Sequence, residues 1–522
     1  MSTIGSLFSL ARAGFVLARE GVISGLPSDG LPAGVATLQR MAGWIERRGV
    51  KRQGRPERLS LAVNRLGPSW VKLGQFLATR PDVVGKQLAG DLEALQDRMQ
   101  PFATSEAKQR VTRSLGVDCD ALFASFSDAV AAASVAQVHK AERRSDGKMV
   151  AVKVIRPNVR ARFRADLDTF YAAARAQEKY IPAVKRLRPV AVVDVLAQSA
   201  RIEMDMRLEA AAFSELGENT SNDAGFRVPA VDWQLTGRDC VTMEWVDGIK
   251  LSDTAGIAAA GHDPDRIAAN LVQSFLRHTL RDGFFHADMH PGNLFVDANG
   301  DIVAVDLGIT GRLGRKEQRF LAEILYGFIR RDYMRVARVH FEAGYVPRRH
   351  DVASFAQAIR AIGEPIHGQS AETISMARLL TLLFEVTELF DMETRPELIL
   401  LQKTMVVVEG VARRLNPAFN MWKTAEPVVA DYLARHVGPR GMLEELGQGM
   451  DAVRRLGRSL PEIAGRAESL AVQIGEMGEK GLRLDPATVD AIAKAGADHS
   501  RRGSWALWMI ALIALIALFV VK

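Results

Sequence analysis

Apolar and polar positions along this chain change period in a way that marks residues 284–308 as its most informative stretch. Two short apolar runs there flank Asp297-Ala-Asn-Gly300, a pattern that predicts a β-hairpin because Asn-Gly accepts positive φ. Toward the N-terminus, Leu7, Leu10, Phe15, Leu17 and Val22 space an amphipathic helix over residues 7–22, which suits either a membrane surface or a partner helix. A loop follows at Pro27, Gly30 and Pro32. Helical patterns then cover residues 66–82 as far as Pro81, residues 91–100 as far as Pro101, and residues 105–123.

From Ala129 the pattern becomes that of a hairpin: a strand to Ala141, a turn at Ser145-Asp-Gly147, and a strand Met149-Val-Ala-Val-Lys-Val-Ile155. Residues 190–218 read as one long helix, residues 228–233 as a strand, and Cys240 begins an apolar strand that turns at Gly248. Asp263-Pro264 caps a helix with Ile267, Leu271 and Phe275 on one face, ended by Gly283. Beyond Gly308 the pattern is helical to about Leu433, with breaks near Gly344, Pro347 and Pro396. The expected domains are a helical extension at 1–123, a mixed lobe at 124–246, a helical lobe at 247–437, an amphipathic tether at 438–502 and an apolar segment at 503–522.

Composition narrows the class. A chain of 522 residues, 48% hydrophobic and 25% charged, is globular and long enough for several cores. Two cysteines argue against a disulfide framework, suit a reducing cytoplasm, and are expected to be buried as small apolar residues. The net charge of +7 admits nucleic acid or an anionic membrane as partner. Residues 505–521 are uncharged and about 26 Å long as a helix, close to a bilayer core of about 30 Å. Arg501 and Arg502 precede this run, Lys522 ends it, and Trp505 and Trp508 suit an interfacial belt. A single transmembrane anchor with the bulk of the chain in the cytoplasm is therefore expected. The N-terminus lacks the pattern of a secretory signal. Residues 46–58 carry Arg47, Arg48, Lys51, Arg52, Arg55 and Arg58 against two acids, a solvated face or a contact for lipid headgroups. Interleaved aromatics are missing there, which disfavours nucleic acid.

The candidate chemistry is phosphoryl transfer. Asp288 precedes Asn293 at the kinase catalytic-loop spacing H-x-D-x-x-x-x-N, and the predicted hairpin delivers Asp306. Transfer of a γ-phosphoryl group gathers metal ions around dense negative charge, so Asn293 and Asp306 are the expected metal ligands. Asp288 is placed to orient or deprotonate the acceptor. A metal site from His286 and His290 would need a helix, which Pro291-Gly292 interrupts. Val150-Ala-Val-Lys153 matches the strand whose lysine holds phosphates, with one of Glu203, Asp205 and Glu209 needed to pair it; Glu209 is the choice. Aligned on Val138, the glycine-rich template puts Ala131, Ala133 and Ala136 at its three glycine positions, which predicts a stiffer loop because alanine disfavours positive φ. Met243, Glu244 and Val246 occupy the hinge that would face adenine. The nucleotide-contacting set is thus Ala131, Ala133, Ser134, Ala136, Val138, Lys153, Met243, Glu244 and Val246.

Taken with Lys72-x-Gly74-Gln75, the alanine-rich Ala131-to-His139 element, Glu203-x-Asp205, His286-to-Asn293 and Asp306-Leu-Gly308, the chain resembles the UbiB/AarF family of atypical kinases over roughly residues 1–440. The resemblance implies an α+β, protein-kinase-like bilobal fold with a helical N-terminal extension and a C-terminal transmembrane helix. It implies ATP with Mg2+ or Mn2+ as cofactors and a supporting role in ubiquinone biosynthesis at the inner membrane. Partners would be anionic lipid and a quinone precursor or quinone-biosynthesis proteins, without nucleic acid. It also lays the helix of Lys72, Gly74 and Gln75 over the cleft as a lid, with Glu203 and Asp205 as partners of Lys72. Three activities stay open: an ATPase or small-molecule kinase, a true protein kinase, and a non-catalytic nucleotide-sensing scaffold. Ala287 where kinases carry arginine, and the lack of an Ala-Pro-Glu motif after Asp306, argue against regulated protein phosphorylation. A hydroxylase is rejected because no flavin fingerprint or oxygenase ligand set is present.

Overall fold

The computed structural model describes residues 3–25, 41–78, 84, 86–93, 99–180, 188–368, 386, 389–392 and 396–436. The predicted loop around Pro27–Pro32, the whole tether 438–502 and the apolar segment 503–522 lie outside these residues. Among the described helices none is long and apolar enough to cross a membrane. Residues up to Val429 form one compact unit; Ala430 begins a second, described only to the end of the last helix.

The N-terminal part is helical: α1 (Thr3–Arg19), α2 (Arg55–Leu66), α3 (Pro68–Ala78), α4 (Lys86–Glu93), α5 (Thr104–Leu115) and α6 (Cys119–Leu122). Of these, α1 and α3 answer the patterns at 7–22 and 66–82, α2 was not predicted, and α4 meets the expected 91–100 helix only at its end. The helix expected over 105–123 is divided into α5 and α6 at Gly116, which takes φ 75. Leu59, Val63, Val71, Ala78 and Leu92 join α2, α3 and α4 in one apolar cluster. Gly67, at φ 110 between α2 and α3, lets Arg162 reach the Leu66 carbonyl at 2.9 Å; a Cβ there would lie 2.4 Å from the guanidinium.

A five-stranded antiparallel sheet follows in the order β1-β2-β3-β6-β5. Its strands are β1 (Phe123–Ala132), β2 (Ala136–Arg143), β3 (Met149–Ile155), β5 (Val231–Asp232) and β6 (Cys240–Glu244). The predicted hairpin is β2–β3, but the run from Ala129 is not a single strand: it turns between Ala132 and Ala136, and β1 precedes it. Alanines carry no turn signal, so periodicity could not find that turn. One face of β3, through Val150, Val152 and Val154, packs on Ala107 and Val111 of α5. Cys119 and Cys240 lie in this core, where burial pushes their thiols up to about 12 and about 11, as expected of inert small apolar residues.

Three helices lie between β3 and β6: α7 (Val159–Tyr180), which periodicity missed, α8 (Pro189–Glu203) and α9 (Met206–Thr220). The single helix predicted over 190–218 is therefore two. Asp205 breaks it, because its side chain accepts from the Arg207 N–H and so caps α9 instead of continuing α8. Of the strand expected at 228–233 only β5 forms, at Val231–Asp232; Trp233 already begins a 3-10 turn, and β4 (Phe226–Arg227) precedes the expected range in another sheet, separated from β5 by Pro229, which offers no N–H to a ladder.

Then come β7 (Ile249–Lys250), α10 (Thr254–Ala259) and α11 (Pro264–Arg277), capped by Asp263 as predicted and burying Ile267, Leu271 and Phe275. A π-helical turn, His278–Asp282, ends at Gly283 with φ 64. Strands β8 (Phe284–His286), β9 (Leu294–Val296) and β10 (Ile302–Ala304) follow; β9 and β10 form the predicted hairpin, with Gly300 at φ 81. Strand β11 (Thr310–Arg312), which the helical pattern concealed, pairs with β8. The remaining described elements are helices: α12 (Arg315–Ile329), α13 (Tyr333–Glu342), α14 (Val352–Gly368), α15 (Pro396–Leu415) and α16 (Met421–His436).

Two buried histidines make stability depend on pH. Burial pushes His340, whose Nδ1 sits 2.8 Å from the Val336 carbonyl, from 6.5 down to about 4, and pushes His278 down to about 3. The unfolded chain then binds protons that the folded chain refuses, so stability falls as pH drops from 6.5 toward these values, by about 1.4 kcal/mol per pH unit for each histidine. Urea midpoints should decline across this window, and His340→Phe, among the rings of Tyr345 and Phe355, should reduce the slope by about one proton. An unchanged slope would refute the assignment.

Candidate active site

Strand alternation sends Val152 and Val154 into the α5 core and Lys153 to the opposite face. There the Lys153 Nζ lies 2.6 Å from Glu209 Oε1 and 2.8 Å from Asp306 Oδ2. Of the three acids considered for Lys153, the structure thus brings Glu209 to it, from the first turn of α9. Burial by itself would lower the Lys153 pKa, but the charges of Asp306 and Glu209 raise it well above the usual lysine range. Burial opposes the charge on Asp306, yet Lys153 and the Gly308 N–H, 2.9 Å from Asp306 Oδ1, hold this carboxyl below its ordinary value. Glu209 is shifted upward by burial and by Asp306, against Lys153 and the Leu307 N–H.

The π-helical turn and β8 bring the chain to His286, which is buried and held neutral by burial. The Asp288 N–H faces His286 Nδ1 at 3.4 Å. Asn293 Nδ2 lies 3.2 Å from both the carbonyl and Oδ2 of Asp288, and the Asn293 carbonyl accepts from the Val305 N–H at 2.9 Å. The hairpin thereby ties Asn293 to the residue before Asp306. Because Asn293 donates through Nδ2 to Asp288, its Oδ1 is left as a hard acceptor of the kind Mg2+ takes. Among the described residues no three His, Cys, Asp or Glu side chains assemble into a metal cage, so a cation here would complete its shell with water or phosphate oxygens. His290, the other histidine of this stretch, is exposed and accepts from the Gly292 N–H.

The alanine loop joins β1 to β2. Ala133 N–H donates to the Ala136 carbonyl at 2.8 Å, and none of the loop alanines takes positive φ. Braces that the sequence did not announce hold it: Arg156 Nε donates to the Ala133 carbonyl at 2.7 Å, and Met99 N–H to the Ala132 carbonyl at 3.1 Å. Gln137, fully buried, exchanges hydrogen bonds with both backbone groups of Phe102. Ser134 and Ala136 are buried, Ala133 and Val138 half-buried and Ala131 exposed. At the hinge Met243 is buried and Val246 half-buried, while Glu244 is exposed and engaged by Arg227 at 3.1 Å.

Lys72 on α3 pairs with Glu203 at the end of α8, Nζ to Oε1 at 2.6 Å, both side chains being 10% exposed. Asp205, offered with Glu203 as a partner of Lys72, is instead occupied in capping α9 and pairing with Arg207 at 2.7 Å. Gly74 is buried and Gln75 half-buried on the same helix. Trp70, Leu73 and Phe76 of α3 pack on a cluster that includes Val135 at the tip of the alanine loop. The Lys72 helix therefore shares a core with that loop, and within it Trp70 meets Phe170 of α7 edge-on, ring centroids 4.9 Å apart. Thr404 of α15 was missed entirely: its hydroxyl donates to the carbonyl of Ala287, inside the catalytic-loop motif, at 2.9 Å. A lone threonine on a helix carries no sequence signal of such a role.

The chain matches the ABC1 atypical kinase-like domain over residues 94–340 and the UbiB helical domain over residues 359–420. It is 38% identical over 459 residues to a "Probable protein kinase UbiB" of Marinobacter nauticus, covering 87% of this chain and 84% of that one. A protein of the same name from Vibrio cholerae is 40% identical over 395 residues, 75% of this chain and 73% of that one. A solved structure, the Rv3197–erythromycin complex of Mycobacterium tuberculosis, aligns with a TM-score of 0.49 at 24% identity, over 76% of this chain and 97% of that chain.

The Lys72–Glu203 pair sets a stability test. Lys72→Ala takes the ammonium away from the Glu203 carboxylate, whose side chain is only 10% exposed, and should cost about 3 to 5 kcal/mol, whereas Lys72→Met with Glu203→Leu should cost far less. Urea unfolding of the two variants compares them directly, and equal losses would show that the pair is not energetically coupled.

Proposed function

The chain belongs to the UbiB family of ABC1-type atypical kinases, and from that membership we propose that it is an ATP-dependent phosphotransferase or ATPase supporting ubiquinone biosynthesis at the cytoplasmic membrane. The observation that carries this reading is the convergence of Lys153, Glu209 and Asp306 from a strand, a helix and a hairpin, beside Asp288 and Asn293. In it Lys153, oriented by Glu209, holds the nucleotide phosphates, and the alanine loop presents backbone amides to them. Asp306 and Asn293 would hold Mg2+ or Mn2+, which when bound neutralises charge on the phosphates. Asp288, steadied by the Asn293 amide, orients or deprotonates the acceptor. The Lys72 helix, pinned to α8 through Glu203 and sharing a core with the alanine loop, favours water or a small phenolic quinone precursor as acceptor over a generic protein. A nucleotide-sensing scaffold is disfavoured because Lys153, Asp288, Asn293 and Asp306 are all retained.

Thermal shift with ATP and Mg2+ tests the metal role. Asp306→Asn should abolish the metal-dependent part of the shift. A metal-dependent shift of wild-type size in that variant would remove Asp306 as a ligand.

Membrane attachment in this reading has two parts. Residues 503–522 form the anchor, and α1 adds a peripheral contact with anionic lipid. Support for the latter is a stripe of exposed Phe8, Arg12, Phe15 and Arg19 at helical spacing, with Phe8 76% exposed and Trp44 nearby 84% exposed. The Arg47 N–H joins the Trp44 segment to the Arg19 carbonyl at 2.8 Å. A chain lacking residues 503–522 should stay with anionic membranes at low salt and leave them at high salt. Complete solubility at low salt would exclude the peripheral contact.

A further inference from the structure

Ala287 stands between His286 and Asp288, is 4% exposed, and has both backbone groups engaged. Its N–H donates to the Ile309 carbonyl at 3.0 Å, just past Asp306-Leu-Gly308. Its carbonyl accepts from Thr404 Oγ1 at 2.9 Å, on a helix 117 residues further along the chain. We propose that Thr404 is a positioning residue for the catalytic loop: its hydroxyl sets the peptide plane from which Asp288 departs.

The Ala287 carbonyl and the Asp288 N–H belong to one planar peptide unit, so fixing one fixes the direction of the other. That unit is held at both ends, by Thr404 at the carbonyl and by His286 Nδ1, 3.4 Å from the N–H. With the plane set and Asn293 on the carboxylate, the Asp288 side chain has little freedom left. Thr404 itself is 1% exposed and firmly seated, since Leu401, Val408, Val411 and Ala412 of α15 are all buried. Its hydroxyl also lies 2.8 Å from the Leu400 carbonyl one turn back. A hydroxyl carries one proton, so the two carbonyls share it as a three-centre bond; any helical threonine can reach the local acceptor, and the contact with Ala287 is the one that the position of Thr404 adds. Where a protein kinase places an arginine whose partner is a phosphorylated segment, this chain places a buried alanine and supports its backbone from α15. The loop is thereby held by packing, without a modification.

The inference rests on the phosphoryl-transfer reading above, so the experiment separates the two. Full-length wild type, Thr404→Val, Thr404→Ser and Asp288→Asn are compared for steady-state hydrolysis of ATP with Mg2+ and for amide hydrogen exchange across residues 284–293, read by mass spectrometry. Thr404→Val keeps the shape and removes the hydroxyl. It should lower kcat about three- to tenfold, the equivalent of one hydrogen bond of ordinary net strength, with KM little changed. It should also speed exchange across the loop, and Thr404→Ser should restore both quantities. Thr404→Ala serves where valine proves too crowded to fold. Wild-type kcat and exchange in Thr404→Val, or an equal loss in the serine variant, would overturn the proposal. Hydrolysis that survives Asp288→Asn would instead remove the function assigned to the site, while the exchange rates would still decide whether Thr404 holds the loop.

Discussion

The interaction on which this structure depends is the contact of one lysine with two carboxylates. Lys153 comes from the middle of the large sheet, Glu209 from the helix packed beside it, and Asp306 from the end of the small hairpin, with Nζ–O distances of 2.6 and 2.8 Å. Each of these elements could form without the others, but none could bury its charge alone. A lone buried charge costs several kcal/mol, so the three elements are driven to meet. The cluster has one positive and two negative members, and this residual negative charge is what suits it to a divalent cation and the phosphates that accompany one.

Around that cluster the structure replaces flexibility with bracing. The loop that would be glycine-rich in an ordinary kinase is alanine-rich here; it is tied down by Arg156 and Met99, and Val135 at its tip joins the apolar cluster on which the α3 side chains also pack. Helix α9, which carries Glu209, is fastened at two further points. Arg312 beside β11 meets Glu215 at 2.5 and 2.7 Å, and Arg281 of the π-helical turn meets Asp223 just past the helix at 2.7 Å. Exposed ion pairs such as Arg312–Glu215 contribute little energy individually. Their effect is geometric, since each joins α9 to the elements that flank the catalytic loop. The π-helical turn immediately before that loop is consistent with this, as such turns mark places where a helix must redirect the chain.

The departures from the sequence reading have local physical causes. The helix expected over 190–218 breaks at Asp205 because a short carboxylate can satisfy a backbone N–H that the helix would otherwise leave to its preceding turn. The strand expected at 228–233 shrinks to Val231–Asp232, because Pro229 cannot join a ladder. β11 was concealed inside a helical pattern because three residues are too few to show a period, and only its pairing with β8 makes it a strand. Glu203 and Asp205, two residues apart, read as equivalent partners for Lys72. The turn between α8 and α9 gives one of them to the lysine and the other to a helix cap.

What the sequence by itself determined is whatever depends on near neighbours along the chain: the helices of the extension, the β2–β3 and β9–β10 hairpins, the capped α11 helix, and the spacing of His286, Asp288, Asn293 and Asp306. Periodicity, caps and turn residues act within a few residues, so they can be read without knowing where the chain goes next. The family was legible for a related reason, since its motifs are short and keep their order. Tertiary structure alone decided which acid meets which lysine, which carbonyl Thr404 reaches, and how the alanine loop is braced. Lys153 and Asp306 are 153 residues apart, and the Thr404 contact spans 117. Over such separations a partner is chosen by packing and by the cost of leaving a buried polar group unsatisfied, and neither is written in local sequence.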